Sequence, residues 1–231
     1  MKSIAAILFL ILSFQAFSAE EITKTPTGIA LDTSWKQDVY QFAVKNVRHA
    51  SWGLTHSERN YQIAKKLAEK ENIVIDLDVL FVSAYLHDLG GIAPFEVVGV
   101  DHAVRSVELV EPMLKEWGFP MEKWEQVKEM ILAHTYYTST TSSKQALAFR
   151  DADVLDFLGS IGVARILAIT TEPGTNEYSL QPTVGILKDF SKSMAGKCSL
   201  NACREFAKSR QAELVQFLNS LNAASFNGEA L

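Results

Sequence analysis

The sequence predicts an all-α protein built as a single multi-helix domain, and three observations carry that expectation. Apolar residues recur at spacings of three and four along most of the chain after Asp32, the period of helices with one buried face. Valine, isoleucine and threonine never form the alternating runs that a half-buried strand needs. The 231 residues are 48% hydrophobic, enough for one substantial core.

The first segment, residues 1–19, reads as a secretory signal peptide rather than as part of the fold. Lys2 gives a short positive start, Ile4–Phe14 is almost unbroken apolar sequence, and small residues follow at Ala16, Ser18 and Ala19. The run is too short for an ordinary transmembrane helix, and cleavage after Ser18 sets Ala16 at the small-residue position that processing requires. The alternative is an uncleaved N-terminal anchor. No cysteine follows the apolar run, which argues against a lipoprotein. The expectation is a periplasmic or secreted protein with no stable membrane insertion after processing.

Residues 20–32 contain Thr-Pro-Thr-Gly and show no period, so a loosely held N-terminal arm is expected. The helical domain is placed at residues 33–222. Its first helix, Thr33–Val47, carries Trp35, Val39, Phe42 and Ala43 on one face. Thr55-His-Ser-Glu58 has the pattern of a capping box and opens a second helix, with His56 in its first turn. Asp76 or Asp78 can cap the third, Val79–Asp88, which is apolar nearly all round and belongs in the middle of the fold. Gly90-Gly91 ends it.

Asp101 caps a fourth helix with Ala103, Val107, Val110, Leu114 and Trp117 on its stripe, and Pro112 inside it predicts a kink or break. Pro120 stands where a helix favours proline in its first turn, and Trp124, Val127, Ile131 and then His134 continue the stripe. Thr138–Ser143 is a loop. Gln145–Ile169 is helical with a break at Gly159 or Gly162, and Pro173-Gly174 and Pro182 bound an irregular piece. Two last helices, Val184–Met194 and Ala202–Leu221, lead into a frayed tail over residues 223–231.

The formal charge of −5 and the lack of any long Lys/Arg run exclude a large nucleic-acid-binding face, because neutralising many phosphates needs a basic patch. A small phosphorylated substrate stays compatible, since a metal can supply the positive charge. Oligomeric state is not legible. The two cysteines, Cys198 and Cys203, form an even, local pair that an oxidising compartment would join in a disulfide. Two thiols without a nearby histidine are a weak zinc signal.

The chemistry concentrates in a few places. In Tyr85-Leu-His-Asp-Leu-Gly90, His87 and Asp88 end an apolar, central helix. The negative end of a helix disfavours an aspartate by ~0.3–1 kcal/mol, and burial adds several more unless the charge is paired. No Lys or Arg lies near in sequence, whereas a divalent cation would neutralise Asp88 and also engage the adjacent imidazole. Asp153 shares a face with Phe149 and Phe157, and His134 ends a core stripe. His102 opens a helix directly after its cap. Periodicity does not separate Asp151 from Asp153.

This set resembles the HD-domain superfamily of metal-dependent phosphohydrolases, in its small stand-alone form. The family pattern is a first His, a His-Asp doublet and a distant Asp, all on helices. Here these are His56 in Thr-His-Ser-Glu-Arg59, His87-Asp88 in Leu-His-Asp-Leu-Gly, and Asp153 in Asp-Ala-Asp-Val-Leu-Asp156, spread over Arg48–Leu167. The resemblance implies one metal on His56, His87, Asp88 and Asp153, and selects Asp153 over Asp151. Members with two metals carry two more histidines where His102 and His134 stand, so a second ion on those is equally open; the alternative is that they contact phosphate or its waters. Two departures are visible: Gly91 stands where several branches have a Lys, and no Gly-Tyr-Pro signature follows.

Arg59 and Arg165 are the candidates for gripping a phosphate, and His49 reads as structural or surface. The activity the resemblance implies is hydrolysis of a small phosphate ester or nucleotide by metal-activated water, with Asp88 and His87 at the reacting centre. The donor set suits manganese, iron, cobalt, nickel or zinc without choosing among them. The rival readings are a di-iron oxygenase on the same fold, as in myo-inositol oxygenase, and a non-catalytic metal-binding module.

Overall fold

The computed structural model describes residues 22–138, 141–170 and 179–231. The expected signal peptide, the Pro173-Gly174 turn and two residues of the Thr138–Ser143 loop lie outside that range. Among the described residues nine α-helices and no strand occur, so the fold is all-α. They are α1 Ser34–Asn46, α2 Leu54–Glu71, α3 Leu77–Leu86, α4 His102–Trp117, α5 Trp124–Ala133, α6 Lys144–Asp156, α7 Gly159–Thr170, α8 Gln181–Ser193 and α9 Asn201–Ala224. None of these is long and apolar enough to cross a membrane.

Helix α3 is the centre. Every side chain from Val79 to Leu86 is buried, and α1, α2 and α5 pack around it. A helix that is apolar on all faces has this one stable position. Asp76 starts it by accepting from the amides of Asp78 and Val79, which settles which of the two acids caps. Helix α6 runs beside α2 and α5, while α7, α8 and α9 pack on one another at its flank.

Several expectations need correction. The Thr55–Glu58 capping box does not form: the N-cap of α2 lies two residues earlier, at Gly53, with no side-chain cap. Glu58 instead turns inward and accepts from Tyr85 Oη at 2.5 Å and Thr25 Oγ1 at 2.9 Å, with Thr27 as a third partner. Burial and this carboxylate together push the Tyr85 phenol far up. Those contacts also fix the N-terminal arm, which is not loosely held: Thr25, Ile29 and Leu31 are buried and Lys24 pairs with Ala30.

Pro112 lies inside α4, which nevertheless continues to Trp117 without a break. Pro120 precedes a short 3-10 turn, Met121–Lys123, and α5 follows only after it. The tail is folded rather than frayed. Helix α9 runs on to Ala224, Ser225 is buried, and Gln181 Nε2 donates to the Gly228 carbonyl at 3.1 Å.

The break between α6 and α7 falls at Phe157-Leu158. Gly159 takes φ +69°, the left-handed region that glycine enters without strain. The disulfide joins Cys198 to Cys203 with Cα atoms 5.5 Å apart. Its loop is locked onto α6, because the buried Asp151 accepts from Ser199 N at 2.9 Å and Leu200 N at 2.7 Å. Arg150 completes the join, donating to the Thr135 and Tyr136 carbonyls and to Ser199 Oγ.

Candidate metal centre

Five helices deliver one residue or more each to a common cleft. His56 comes from the first turn of α2, His87 and Asp88 follow the last turn of α3, His102 opens α4, His134 closes α5, and Asp153 lies in the third turn of α6. The link between α3 and α4 depends on Gly90: a Cβ there would lie 2.6 Å from Arg105 Cβ and from Ser106 N, and would strike the His102 carbonyl. Without it, Ser106 Oγ can donate to the His87 carbonyl at 2.6 Å and accept from Gly90 N at 2.8 Å. That contact docks α4 and brings His102 to the cleft.

The imidazoles form two pairs with Asp88 between them. His56 Nε2 and His87 Nε2 are 3.2 Å apart, and His102 Nε2 and His134 Nε2 are 3.1 Å apart. Asp88 Oδ2 lies 3.1 Å from His87 Nε2 and 3.5 Å from His56 Nε2. Its other oxygen, Oδ1, lies 3.3 Å from His102 Nε2 and 3.4 Å from His134 Nε2. Asp153 Oδ1 joins the first pair, 3.4 Å from His56 Nε2. The structure therefore gathers all six of the expected ligands.

The other ring nitrogens decide the tautomers. His87 Nδ1 faces the Ser83 and Ala84 carbonyls, each at 3.1 Å, and His134 Nδ1 faces the Ile131 carbonyl at 2.6 Å. A carbonyl only accepts, so each Nδ1 carries the hydrogen. His56 Nδ1 lies 2.7 Å from Asp156 Oδ2 and does the same. For His102 the support is the Tyr137 hydroxyl at 3.2 Å from Nδ1; that phenol donates to Asp101 Oδ2 at 3.1 Å and so accepts from the ring.

With every Nδ1 protonated, the Nε2 atoms face one another and the carboxylate oxygens, so the space between them calls for positive charge, from protons on Nε2 or from a metal. Lone pairs converging at 3.1–3.2 Å in a buried site repel unless a proton or a metal ion lies among them. The donor set thus fits divalent metal. Asp88 stays ionised: burial opposes its charge, but His87 and the imidazoles of His102, His134 and His56 hold its carboxyl well below the usual range. Burial lowers His87, whereas at His134 burial is outweighed by the Asp88 and Asp153 carboxylates, which raise it.

Asp156 is the residue that sequence reasoning missed. It is fully buried, receives His56 Nδ1, and is gripped by Arg59 through Nε at 2.8 Å and Nη2 at 2.9 Å. Although burial opposes it, His56 and Arg59 hold its carboxyl far down. Such a carboxylate fixes ring orientation and tautomer for a ligating histidine. Its signal was its position three residues after Asp153, on the same face of α6.

That pair also corrects the reading of Arg59, whose guanidinium is engaged by Asp156 and does not line the cleft. Arg165 does line it. Its Nε donates to the Ser51 carbonyl at 2.9 Å, and its Nη1 lies 3.2 Å from Asp156 Oδ2 without a hydrogen bond. Asp151 faces away from the cluster, toward the disulfide loop. His49 accepts from the amides of Ser51 and Trp52 and stacks flat on the Trp52 ring at 3.8 Å, a structural role. Gly91 sits against His102, where its missing side chain leaves room for the ring.

Above the charged floor lies a cavity of about 480 Å³. Asp88, His102, His134, Asp153 and Arg165 form its polar end, and Trp52, Tyr136, Phe157, Ile166, Ile186 and Phe190 are among its walls.

An all-helical domain that converges four imidazoles and two carboxylates on one cleft has a donor set that could hold a metal ion. Comparison with known families gives the class its name: residues 53–158 match the model of the HD domain, so the chain carries an HD domain. The chain is 27% identical over 173 residues to the uncharacterized protein YpgQ of Bacillus subtilis strain 168, covering 72% of this chain and 80% of YpgQ. The crystal structure of YpgQ in complex with ADP superposes with a TM-score of 0.62 at 22% identity, covering 82% of this chain and 97% of that one. An HD-superfamily hydrolase from Bacillus thuringiensis superposes with a TM-score of 0.58 at 23% identity, over 81% and 92% of the two chains. These solved structures share the fold.

Proposed function

We propose that this protein is an exported, metal-dependent phosphohydrolase acting on a small phosphate ester or nucleotide. One observation carries the reading: the paired imidazoles of His102 and His134 and the carboxylates of Asp88 and Asp153 share a cavity wall with a buried guanidinium, Arg165. His56, His87, Asp88 and Asp153 would hold one divalent ion, and His102 and His134 with the second oxygen of Asp88 a further one. A bound divalent ion supplies Lewis-acid polarisation of a phosphoryl oxygen and a water acidic enough to act as nucleophile near neutral pH. Arg165 Nη1, buried and without a hydrogen bond, has a donor to offer a phosphoryl oxygen. Asp156 and the carbonyls behind His87 and His134 keep each ring in the tautomer that binding needs. The ADP in the YpgQ complex supports a phosphorylated ligand for this fold.

The test is a panel of phosphate esters and nucleotides against the purified protein, supplied in turn with manganese, iron, cobalt, nickel and zinc. Phosphate release that chelation abolishes, with no oxygen uptake, is the expected outcome. Oxygen consumption with iron would favour the oxygenase reading, and bound metal without turnover on any ester would favour the binding module. Export rests on Lys2, the Ile4–Phe14 run and the small residues after it. N-terminal sequencing of periplasmic or secreted material should begin near Ala19 or Glu20, and intact Met1 in a cytoplasmic pool would overturn it.

A further inference from the structure

The cavity above the metal centre restricts what its charged floor can meet. We propose that the substrate is a phosphate monoester whose organic part is a bulky apolar group, seated against Trp52, Phe157, Ile166, Ile169, Ile186 and Phe190. This inference rests on the phosphohydrolase reading and gives it a substrate class.

Charge is the first argument. Among the described residues lining the cavity Arg165 is the sole Lys or Arg, and it is already anchored to the Ser51 carbonyl and lies against Asp156 and Asp153 at 3.2 and 3.8 Å. Its guanidinium also stacks on Phe157, 4.2 Å from the ring centroid. A single phosphoryl group can be held by this arginine and the metal centre, but a chain of phosphates would run on along walls that offer no further cation.

Polarity is the second. Three of the hydroxyls that line the cavity are engaged within the protein, which leaves Tyr136 Oη and the buried Trp52 Nε1 as the polar groups on walls that are otherwise apolar. Thr135 Oγ1 donates to Thr138, Thr170 Oγ1 donates to the Ile166 carbonyl, and Tyr137 donates to Asp101. Reading a sugar or a base needs convergent donors and acceptors, whereas an apolar group needs only shape and exclusion of water.

The third argument is where the walls come from and how firmly they stand. All six metal-centre ligands fall within residues 53–158, the segment that matches the HD domain. Ile166, Ile169, Ile186 and Phe190 come from α7 and α8 beyond it, and Trp52 precedes it. The metal-centre ligands and most of the apolar wall thus occupy different stretches of chain, with Phe157 the apolar wall residue inside the matched segment and Arg165 the charged residue outside it. Phe157 and Phe190 meet edge to face at 5.4 Å, Tyr136 packs on both, and Trp52 is stacked on His49. Rigid aromatic walls enclosing about 480 Å³ have the size and character of a preformed pocket for a small organic group.

Calorimetric titration with n-alkylphosphonic acids, which bear the headgroup but cannot be hydrolysed as esters, tests this on the full mature chain loaded with manganese. From methyl- through butyl- and hexyl- to octylphosphonate, affinity should rise by about two- to fourfold per methylene until the cavity is full, the gain set by buried apolar area. ADP should bind more weakly than octylphosphonate. Ile186→Asn, a half-buried wall position, should flatten the series; the wild-type series stands without it if that variant does not fold. Affinity indifferent to chain length, or ADP binding tighter than octylphosphonate, overturns the proposal. A rising series with no phosphate released from the matching alkyl phosphates refutes the hydrolase reading and supports the apolar subsite. Phosphate release equally fast from methyl and octyl phosphate supports the hydrolase and overturns the subsite.

Discussion

Replacing Asp156 by Asn removes one negative charge and none of the volume, and the structure gives the consequences separately for metal and for fold. The amide oxygen can still accept from His56 Nδ1, which the carboxylate meets at 2.7 Å. The amide NH2, however, then takes the place of Oδ1 and faces Arg59 Nε, donor against donor, while Arg165, beside the other oxygen, keeps an oxygen but loses a counter-charge. Arg59 is 28% exposed and can turn to water, whereas Arg165 is 4% exposed and cannot. Loss of an outer partner of a ligating histidine weakens metal binding by about 10–100-fold, equivalent to ~1.4–2.7 kcal/mol. Leaving a buried guanidinium without its counter-charge costs about 3–5 kcal/mol at most, less where the amide oxygen compensates.

Competition of the variant against a chelator of known affinity measures the first quantity, and urea unfolding followed by circular dichroism the second. Arg59→Gln is the companion: it should lower metal affinity by a smaller factor and leave KM for a phosphate ester unchanged, because Arg59 grips Asp156 rather than substrate. Unaltered metal affinity in a folded Asp156→Asn protein would refute the supporting role. A raised KM with unchanged metal affinity in Arg59→Gln would restore that arginine as a phosphate ligand.

Three further predictions follow from neighbouring contacts. Asp153→Ala should abolish binding of the first ion, whereas Asp151→Ala should keep the metal and lose stability by ~1–3 kcal/mol for each buried amide left unpaired, since Ser199 N and Leu200 N would lose their acceptor; metal lost from both alike would contradict the division. Tyr137→Phe removes the hydroxyl behind His102 and should weaken one of two metal equivalents about tenfold while leaving the other, as titration with cobalt would report; equal weakening of both would reject separate half-sites. At the far side of α3, burial raises the Asp78 carboxyl but Lys123 and Lys36 outweigh it and hold it below its ordinary value. A depressed carboxylate stabilises above its unfolded pKa and loses that contribution as pH falls through the folded one. Asp78→Asn should therefore cost about 1 kcal/mol at neutral pH and converge on the wild type below the folded value; a constant difference down to strongly acid pH would rule out the charge as its source.

The parts of the fold legible in the sequence were those written in local pattern. The all-round apolar character of α3 placed it centrally, and Asp76 and Asp101 cap as their positions imply. Asp88 and His87 stood out because an acid ending a buried apolar helix is costly unless a cation meets it, whereas His56, His102 and the choice of Asp153 over Asp151 came from the family resemblance. What escaped depended on partners far along the chain. Glu58 carries the local signature of a capping box, but Tyr85 and Thr25 claim its carboxylate. Arg59 reads as a free cation one turn beyond His56 until Asp156, 97 residues away, takes both arms of its fork. The N-terminal arm lacks any period, yet Ile29 and Leu31 are buried through contacts that no local rule anticipates.

Gly90 gives the arrangement of the centre a consequence for how such sites diverge. The first imidazole pair is carried by α2 and α3, and the second by α4 and α5. The seam between those halves closes only because position 90 has no side chain, so that α4 can lie against the turn after Asp88. A single methyl group there would force α4 outward and carry His102 with it, while His56, His87 and Asp153 kept their places. On the proposed two-ion reading, one-ion and two-ion forms of this architecture would be separated by one carbon atom at a position that touches no ligand side chain. A lineage could pass between them in one substitution, without altering any of the residues by which its members are recognised.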